Sequence, residues 1–159
     1  MKMFYLLCGL PGSFKSTEAR KIAKANPGAL TVSGDALREM LYAGYDYVPS
    51  MEATVRGIAY HAVDTALTAP GVTCVIYDAC NIRKQGRKDF LRTAKFQGYH
   101  TTILHCLGDG QNLARRMENP RGFGAERWAS AIEGMRKNFE PPEPDEADVV
   151  ITVSGVSNG

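Results

Sequence analysis

The stretch Phe4-Tyr5-Leu6-Leu7-Cys8-Gly9-Leu10-Pro11-Gly12-Ser13-Phe14-Lys15-Ser16-Thr17 decides how the chain is read. Residues 4–8 form an uninterrupted apolar run, the pattern of a strand buried on both faces. The run breaks at Gly9, and from Ser16 onward Glu18, Ala19, Arg20, Lys21, Ile22, Ala23 and Lys24 have the pattern of a helix. A strand, a glycine-bearing loop, a Lys-Ser pair and a helix therefore follow in order. In such an order the loop N–H groups point inward and make a nest for phosphate oxygens. The helix N-terminus adds partial positive charge. Lys15 brings a full charge to the terminal phosphates, and Ser16 offers a hydroxyl to Mg²⁺.

The pattern G-x-x-x-x-G-K-[ST] of the P-loop is met at Gly9, Lys15 and Ser16. It fails at the residue before Lys15, which is Phe14 instead of glycine. Glycine is usual there because the backbone approaches phosphate closely and takes conformations that a side chain resists. Gly12 supplies a second glycine inside the loop. Gly9, Pro11, Gly12, Ser13, Phe14, Lys15, Ser16 and Thr17 are the expected nucleotide contacts. Two alternatives stay open: a Gly-Pro turn before an ordinary helix, and a P-loop whose nucleotide affinity is weakened or lost at Phe14.

Length and composition bound the class. The chain has 159 residues, 44% of them apolar and 23% charged, which fits one globular domain over residues 1–159. No apolar run reaches the ~18–20 residues that span a bilayer. The apolar start runs straight into the glycine loop with no small-residue cleavage site, so it does not read as a signal peptide. A cytoplasmic location is expected. Cys8, Cys74 and Cys106 lie in apolar strand-like runs, with Cys80 just beyond one; no Cys-x-x-Cys pair exists, and buried reduced thiols are expected. His61, His100 and His105 lack metal-ligand spacing. Net charge is only +2, which does not demand a nucleic acid. Basic residues nevertheless cluster as Arg83, Lys84, Arg87, Lys88, Arg92 and Lys95, and again as Arg115, Arg116, Arg121 and Arg127. The ordinary meaning of such a run is a solvated helix face.

Periodicity and turn signals place strands at about 4–8, 29–32, 72–77, 101–107 and 149–153. Helices are expected at about 16–25, 35–42, 51–67, 83–97, 111–118 and 125–139. Asp35 is the expected N-cap of the second helix and Ser50 that of the third. In the fourth, Phe90, Leu91, Ala94 and Phe96 are expected inward and the basic residues outward. Residues 119–124 read as a flexible crossing and 140–148 as an acidic, proline-rich loop. Alternating strands and helices predict an α/β fold: a three-layer sandwich of about five parallel strands with helices on both faces. Ligands bind at the carboxyl ends of such strands, so residues 9–16, 33–38, 78–83 and those from 108 onward are the ones to examine.

Three residue sets there carry chemistry. Asp78 ends an apolar strand downstream of the loop, where it can support a nucleotide site or simply cap a turn. Asp35 and Arg38 lie three apart and share a helix face. The carboxylate can accept a hydroxyl proton while the guanidinium holds a phosphate in bidentate fashion; an N-cap with an i, i+3 ion pair is the plain alternative. Arg121, in the glycine-flanked crossing, can close over a bound nucleotide and neutralise charge, or be an exposed loop arginine.

Together these features resemble the kinase domain of the phage polynucleotide 5′-hydroxyl kinases. The matching residues are Gly9-Leu10-Pro11-Gly12-Ser13-x-Lys15-Ser16-Thr17, Gly34-Asp35-x-x-Arg38, Asp78-x-x-Asn81 and Asn119-x-Arg121-Gly122, in family order from residue 4 to about 153. The resemblance implies an ATP- and Mg²⁺-dependent transfer of the γ-phosphate to the 5′-hydroxyl end of DNA or RNA. It implies Lys15 and Arg121, with Arg116, on the nucleotide phosphates, Ser16 on Mg²⁺, Asp35 as general base and Arg38 on an acceptor phosphate. Asp78 would orient Arg38 or support the metal, and Asn81 and Arg83 would complete the acceptor site. A lid is expected over about 111–138. Tyr42, Tyr45 and Tyr47 are candidates to stack on bases or to pack on the third helix. A small-molecule kinase on the same scaffold, acting on a nucleoside, sugar or antibiotic hydroxyl, is the first alternative. A non-catalytic nucleotide-binding module is the second. Oligomeric state is left open.

Overall fold

A computed structural model describes residues 1–42 and 49–154. Five strands, β1 (Met3–Cys8), β2 (Leu30–Ser33), β3 (Cys74–Asp78), β4 (His100–Gly108) and β5 (Val149–Ser154), alternate with helices. The helices are α1 (Lys15–Ala25), α2 (Gly34–Leu41), α3 (Glu52–Thr68), α4 (Lys84–Phe96), α5 (Asn112–Arg116) and α6 (Ala125–Lys137). The strands form one sheet in the order β2-β3-β1-β4-β5, and every adjacent pair is parallel.

The two-residue period of a strand explains the layers. On β1, Phe4, Leu6 and Cys8 meet Ala59, Val63 and Leu67 of α3 and Phe90, Leu91 and Ala94 of α4. Leu7 lies in the other cluster, with Ala19 of α1, Ile76, Leu104 and Cys106. Both faces of β1 are thus covered, which is why its sequence is a continuous apolar run. The parallel sheet with helices on both faces, expected from the alternation of elements, is the one observed. β1 lies between β3 and β4, so the chain turns opposite ways around it. A crevice opens at its carboxyl end.

Several expected details differ. Ser33, not Asp35, caps α2: its Oγ accepts from the Ala36 N–H at 3.3 Å. Asp35 is left in the first turn, where the helix dipole favours a carboxylate. Ser50 is not the cap of α3 either; Met51 holds that place and its side chain makes no capping bond. In α4, Phe96 is 87% exposed although expected inward, whereas Arg87, expected outward, is 0% exposed. Arg87 is drawn in by Glu146: its Nε donates to Oε2 at 2.7 Å and its second amino group to Oε1 at 2.9 Å. The acidic stretch 140–148 is therefore a strap. Glu140 accepts from the Lys84 N–H at 2.7 Å, and Asp148 accepts from the Thr101 N–H at 2.8 Å.

Cys8, Cys74 and Cys106 are buried free thiols; Cys80 is only half-buried. Burial pushes the Cys8 thiol up to about 12 and the Cys106 thiol to about 11, so both are protonated and inert at neutral pH. Among the described residues no helix is long and apolar enough to cross a membrane.

Candidate active site

The loop after β1 starts from close backbone contacts. A Cβ on Gly9 would stand 2.5 Å from the Cys106 carbonyl oxygen, and one on Gly12 would stand 2.1 Å from that of Asn112. Only glycine fits at either place. Phe14 has φ 68° and ψ 14°, in the left-handed region. The conformation that glycine usually supplies before the lysine is therefore present here with a side chain attached, at a cost of about 1–2 kcal/mol. The Phe14 ring lies beneath Arg115, whose guanidinium carbon is 3.3 Å from the ring centroid. α1 begins at Lys15, and its N-terminus has no side-chain capping bond, so its first N–H groups face the loop. Lys15 is only 8% exposed, and its Nζ donates to the Leu10 carbonyl at 2.7 Å.

Asp78, at the end of β3, lies beside the Ser16 side chain, whose hydroxyl favours the charged form of the carboxyl. Burial raises the Asp78 carboxyl above its ordinary range; Ser16 and Lys15 pull the other way without cancelling this. A buried carboxylate beside a hydroxyl is a hard-oxygen pair suited to a divalent cation. Asp78 stands with Ser16; the residue that orients Arg38 is Glu52, at the start of α3. Arg38 donates from Nε to Glu52 Oε1 at 3.0 Å and from an amino group to Oε2 at 2.6 Å. Its other amino group donates to Asp35 Oδ1 at 3.3 Å.

The opposite wall comes from α5, the crossing and α6. Arg116 donates to Asp35 Oδ2 at 3.3 Å, and the Arg121 Nε lies 3.9 Å from the same oxygen. Arg121 also pairs with Glu39. The crossing is a tight turn: Arg121 and Gly122 have φ 52° and 80°, and the Phe123 N–H donates to the Pro120 carbonyl at 3.0 Å. Trp128 secures it by donating its indole N–H to the same carbonyl at 2.8 Å, while the Arg116 guanidinium lies 4.1 Å from the Trp128 ring centroid.

Pro11, Gly12, Ser13, Phe14, Lys15, Ser16, Thr17, Asp35, Arg38, Asp78, Arg83, Arg116 and Arg121 all line one cleft of about 1040 Å³. Gly9 is buried behind it, its N–H donating to the Cys80 carbonyl at 2.9 Å. Asn81 is not part of the lining: its side-chain amide donates to the Leu7 carbonyl at 2.7 Å and ties the loop after β3 to β1. Arg83 closes the far end by donating to Asn138 Oδ1 at 3.0 Å. Tyr42 ends α2 and is half-buried; Tyr45 and Tyr47 lie outside the described residues. Glu52, Glu39, Asn112 and Trp128 were not singled out from the sequence. Their partners are distant in the chain, so no local spacing marks them.

Charge is concentrated in this cleft. Lys15 and seven arginines line it against four carboxylates, Asp35, Glu52, Asp78 and Glu118. The chain as a whole carries only +2, so the cleft is more positive than the molecule. An excess of positive charge between low-dielectric walls focuses the field on an anionic ligand. The basic run on α4 is largely compensated by comparison: Lys84 pairs with Glu143, Arg87 with Glu146, Arg92 with Asp89 and Lys95 with Asp148.

The parallel sheet and the glycine loop between β1 and α1 define a P-loop NTPase or kinase fold. Within that class the chain belongs to the AAA domain family, which matches residues 4–142. Among solved structures, Kti12 of Chaetomium thermophilum in complex with ADP-AlF3 is 20% identical with a TM-score of 0.72, over 95% of this chain and 88% of that one. A putative kinase from Chloroflexus aurantiacus is 19% identical with a TM-score of 0.72, over 96% and 88%. A fungal RNA kinase is 13% identical with a TM-score of 0.65, over 99% of this chain and 40% of that one. These likenesses are of fold. No curated protein matches the chain in sequence.

Proposed function

We propose that the chain is an ATP-dependent phosphotransferase that moves the γ-phosphate onto the 5′-hydroxyl end of a nucleic acid. The observation that carries this reading is the cleft itself, which Lys15, the uncapped start of α1, Asp35, Arg116 and Arg121 line together. Loop N–H groups and Lys15 would take the nucleotide phosphates. The ADP-AlF3 in the Kti12 structure supports nucleotide binding by a chain of this fold. Ser16 and Asp78 would hold Mg²⁺, which neutralises charge on the transferring group. Asp35 would accept the hydroxyl proton. Arg116 and Arg121, already against Asp35, would move onto the phosphates as charge develops. Arg38, aimed by Glu52, would hold an acceptor phosphate.

The deciding experiment offers γ-labelled ATP and Mg²⁺ with a 5′-hydroxyl oligonucleotide and its 5′-phosphorylated control. Label on the first alone is the expected result. No label on either, with ATP bound, would overturn the nucleic-acid acceptor. A second expectation concerns Arg38. Its loss removes a charge-assisted contact to the acceptor, so Arg38→Ala should raise the acceptor KM about tenfold and leave the ATP KM nearly unchanged. Equal effects on both would remove Arg38 as an acceptor clamp.

One observation favours a small-molecule kinase instead. Glu52 holds two edges of the Arg38 fork and Asp35 a third, which leaves less of the guanidinium for a bidentate phosphate. Transfer to a nucleoside or sugar, with none to an oligonucleotide, would select that reading.

A further inference from the structure

Phe14 stands where its sequence pattern asks for glycine, and its ring is stacked under a guanidinium from the other wall of the cleft. We propose that Phe14 is a positioning residue, whose ring seats Arg115 and thereby holds the phosphate loop in its binding shape. Arg115 donates to the Gly12 carbonyl and, at 2.6 Å, to Asp109 Oδ2. Those bonds use edges of its fork; the flat face is what rests on Phe14, 3.3 Å from the ring centroid. Next to it, the Asn112 side chain donates to the Pro11 carbonyl at 3.0 Å. Two consecutive loop carbonyls are therefore tethered to α5 and its approach.

The tether acts on the N–H groups as well. In a planar trans peptide the C=O and the N–H point in opposite directions. Holding the carbonyls of Pro11 and Gly12 outward aims the N–H groups of Gly12 and Ser13 the other way, into the nest that phosphate would occupy. The contact is close, since Gly12 has no room for a Cβ against the Asn112 carbonyl. A glycine at position 14 would relax the left-handed backbone but remove the surface under Arg115. From sequence, Phe14 leaves open a weakened nucleotide site; in the fold its ring is a strut under Arg115.

The inference on affinity rests on the nucleotide-binding reading, whereas the inference on loop shape does not, and two measurements keep them apart. The first is amide hydrogen exchange at residues 12–15 without ligand. The second is calorimetry with ATP and Mg²⁺. Phe14→Gly should speed exchange there at least tenfold and weaken ATP at least fivefold, with helix protection elsewhere unchanged. Arg115→Met should do the same, and the double variant should add little, because both remove one contact. Phe14→Tyr, which keeps the ring, should retain loop protection. Should Phe14→Gly fold poorly, Phe14→Leu, which has bulk but no aromatic face, is read in its place. Wild-type exchange in Phe14→Gly, together with equal or tighter ATP binding, would overturn the proposal. If the wild type itself binds no ATP, the nucleotide reading falls while exchange still decides the role of Phe14.

Discussion

Asp35→Ala is expected to lower phosphoryl transfer by about 10²–10⁴-fold without weakening nucleotide binding. The split follows from where the carboxylate sits. Ser33 takes over the capping of α2, so Asp35 is not needed to start the helix. Its oxygens instead face the cleft, 3.3 Å from an amino group of Arg38 on one side and of Arg116 on the other. A hydroxyl delivered there meets a base. A nucleotide phosphate delivered there meets the same arginines that Asp35 now holds. Removing the carboxylate would take away the proposed base but also a competitor for Arg116, so ATP affinity should hold or rise slightly. Single-turnover transfer and calorimetry on one preparation check both halves. Asp35→Asn, which keeps an oxygen for the arginines but cannot act as a base, should lose transfer to the same extent. Retained transfer in either variant would remove Asp35 as the base. Loss of ATP binding together with transfer would make it a tie between α2 and α5.

The second large effect concerns stability. Arg87→Ala should destabilise the fold by about 3–5 kcal/mol, because it leaves Glu146 buried without its partner. For a chain of this size that is a fall of roughly 10 °C in Tm. The pair is almost dry, at 0% and 5% side-chain exposure, and Arg87 also donates to the Asn81 carbonyl at 2.9 Å. The double variant Arg87→Met with Glu146→Leu should recover most of the loss, since matched apolar groups replace a buried pair at little cost. A double variant as unstable as Arg87→Ala would mean that the bond to Asn81, not the charge pair, is what matters.

The same pair predicts a pH dependence. Burial, the largest single influence, raises the Glu146 carboxyl, but the hydrogen bonds from Arg87 and the Glu143 N–H, with the charges of Arg87 and Lys84, together outweigh it and hold the carboxyl below its ordinary value. A carboxylate depressed in the folded state contributes its full stability above its unfolded pKa and loses it as pH falls through the folded one. Urea midpoints should therefore fall on acidification below the ordinary glutamate range, and fall less in the double apolar variant. Identical slopes for the two proteins would exclude Glu146 as a source of the acid sensitivity.

Local signals in the chain carry a good part of this fold. The apolar runs at β1 and β3, the alternation of strands with helices, and the glycine loop before Lys15 and Ser16 are patterns within about fifteen residues. They were enough for the parallel sheet and for the end of it where the cleft lies. The spacing of Asp35 and Arg38 foretold their contact, because three residues make most of a helical turn. Only the tertiary structure decided the rest. Charge places Arg87 outward with its basic neighbours, and nothing within α4 marks it; Glu146, 59 residues away, draws it in. Glu52 reaches Arg38 across 14 residues, and Arg115 reaches Gly12 across 103. Phe14 could be judged from sequence only against the backbone demand at its own position. Its ring acquires a use once α5 is folded against the loop, because only then does the Arg115 guanidinium lie over it.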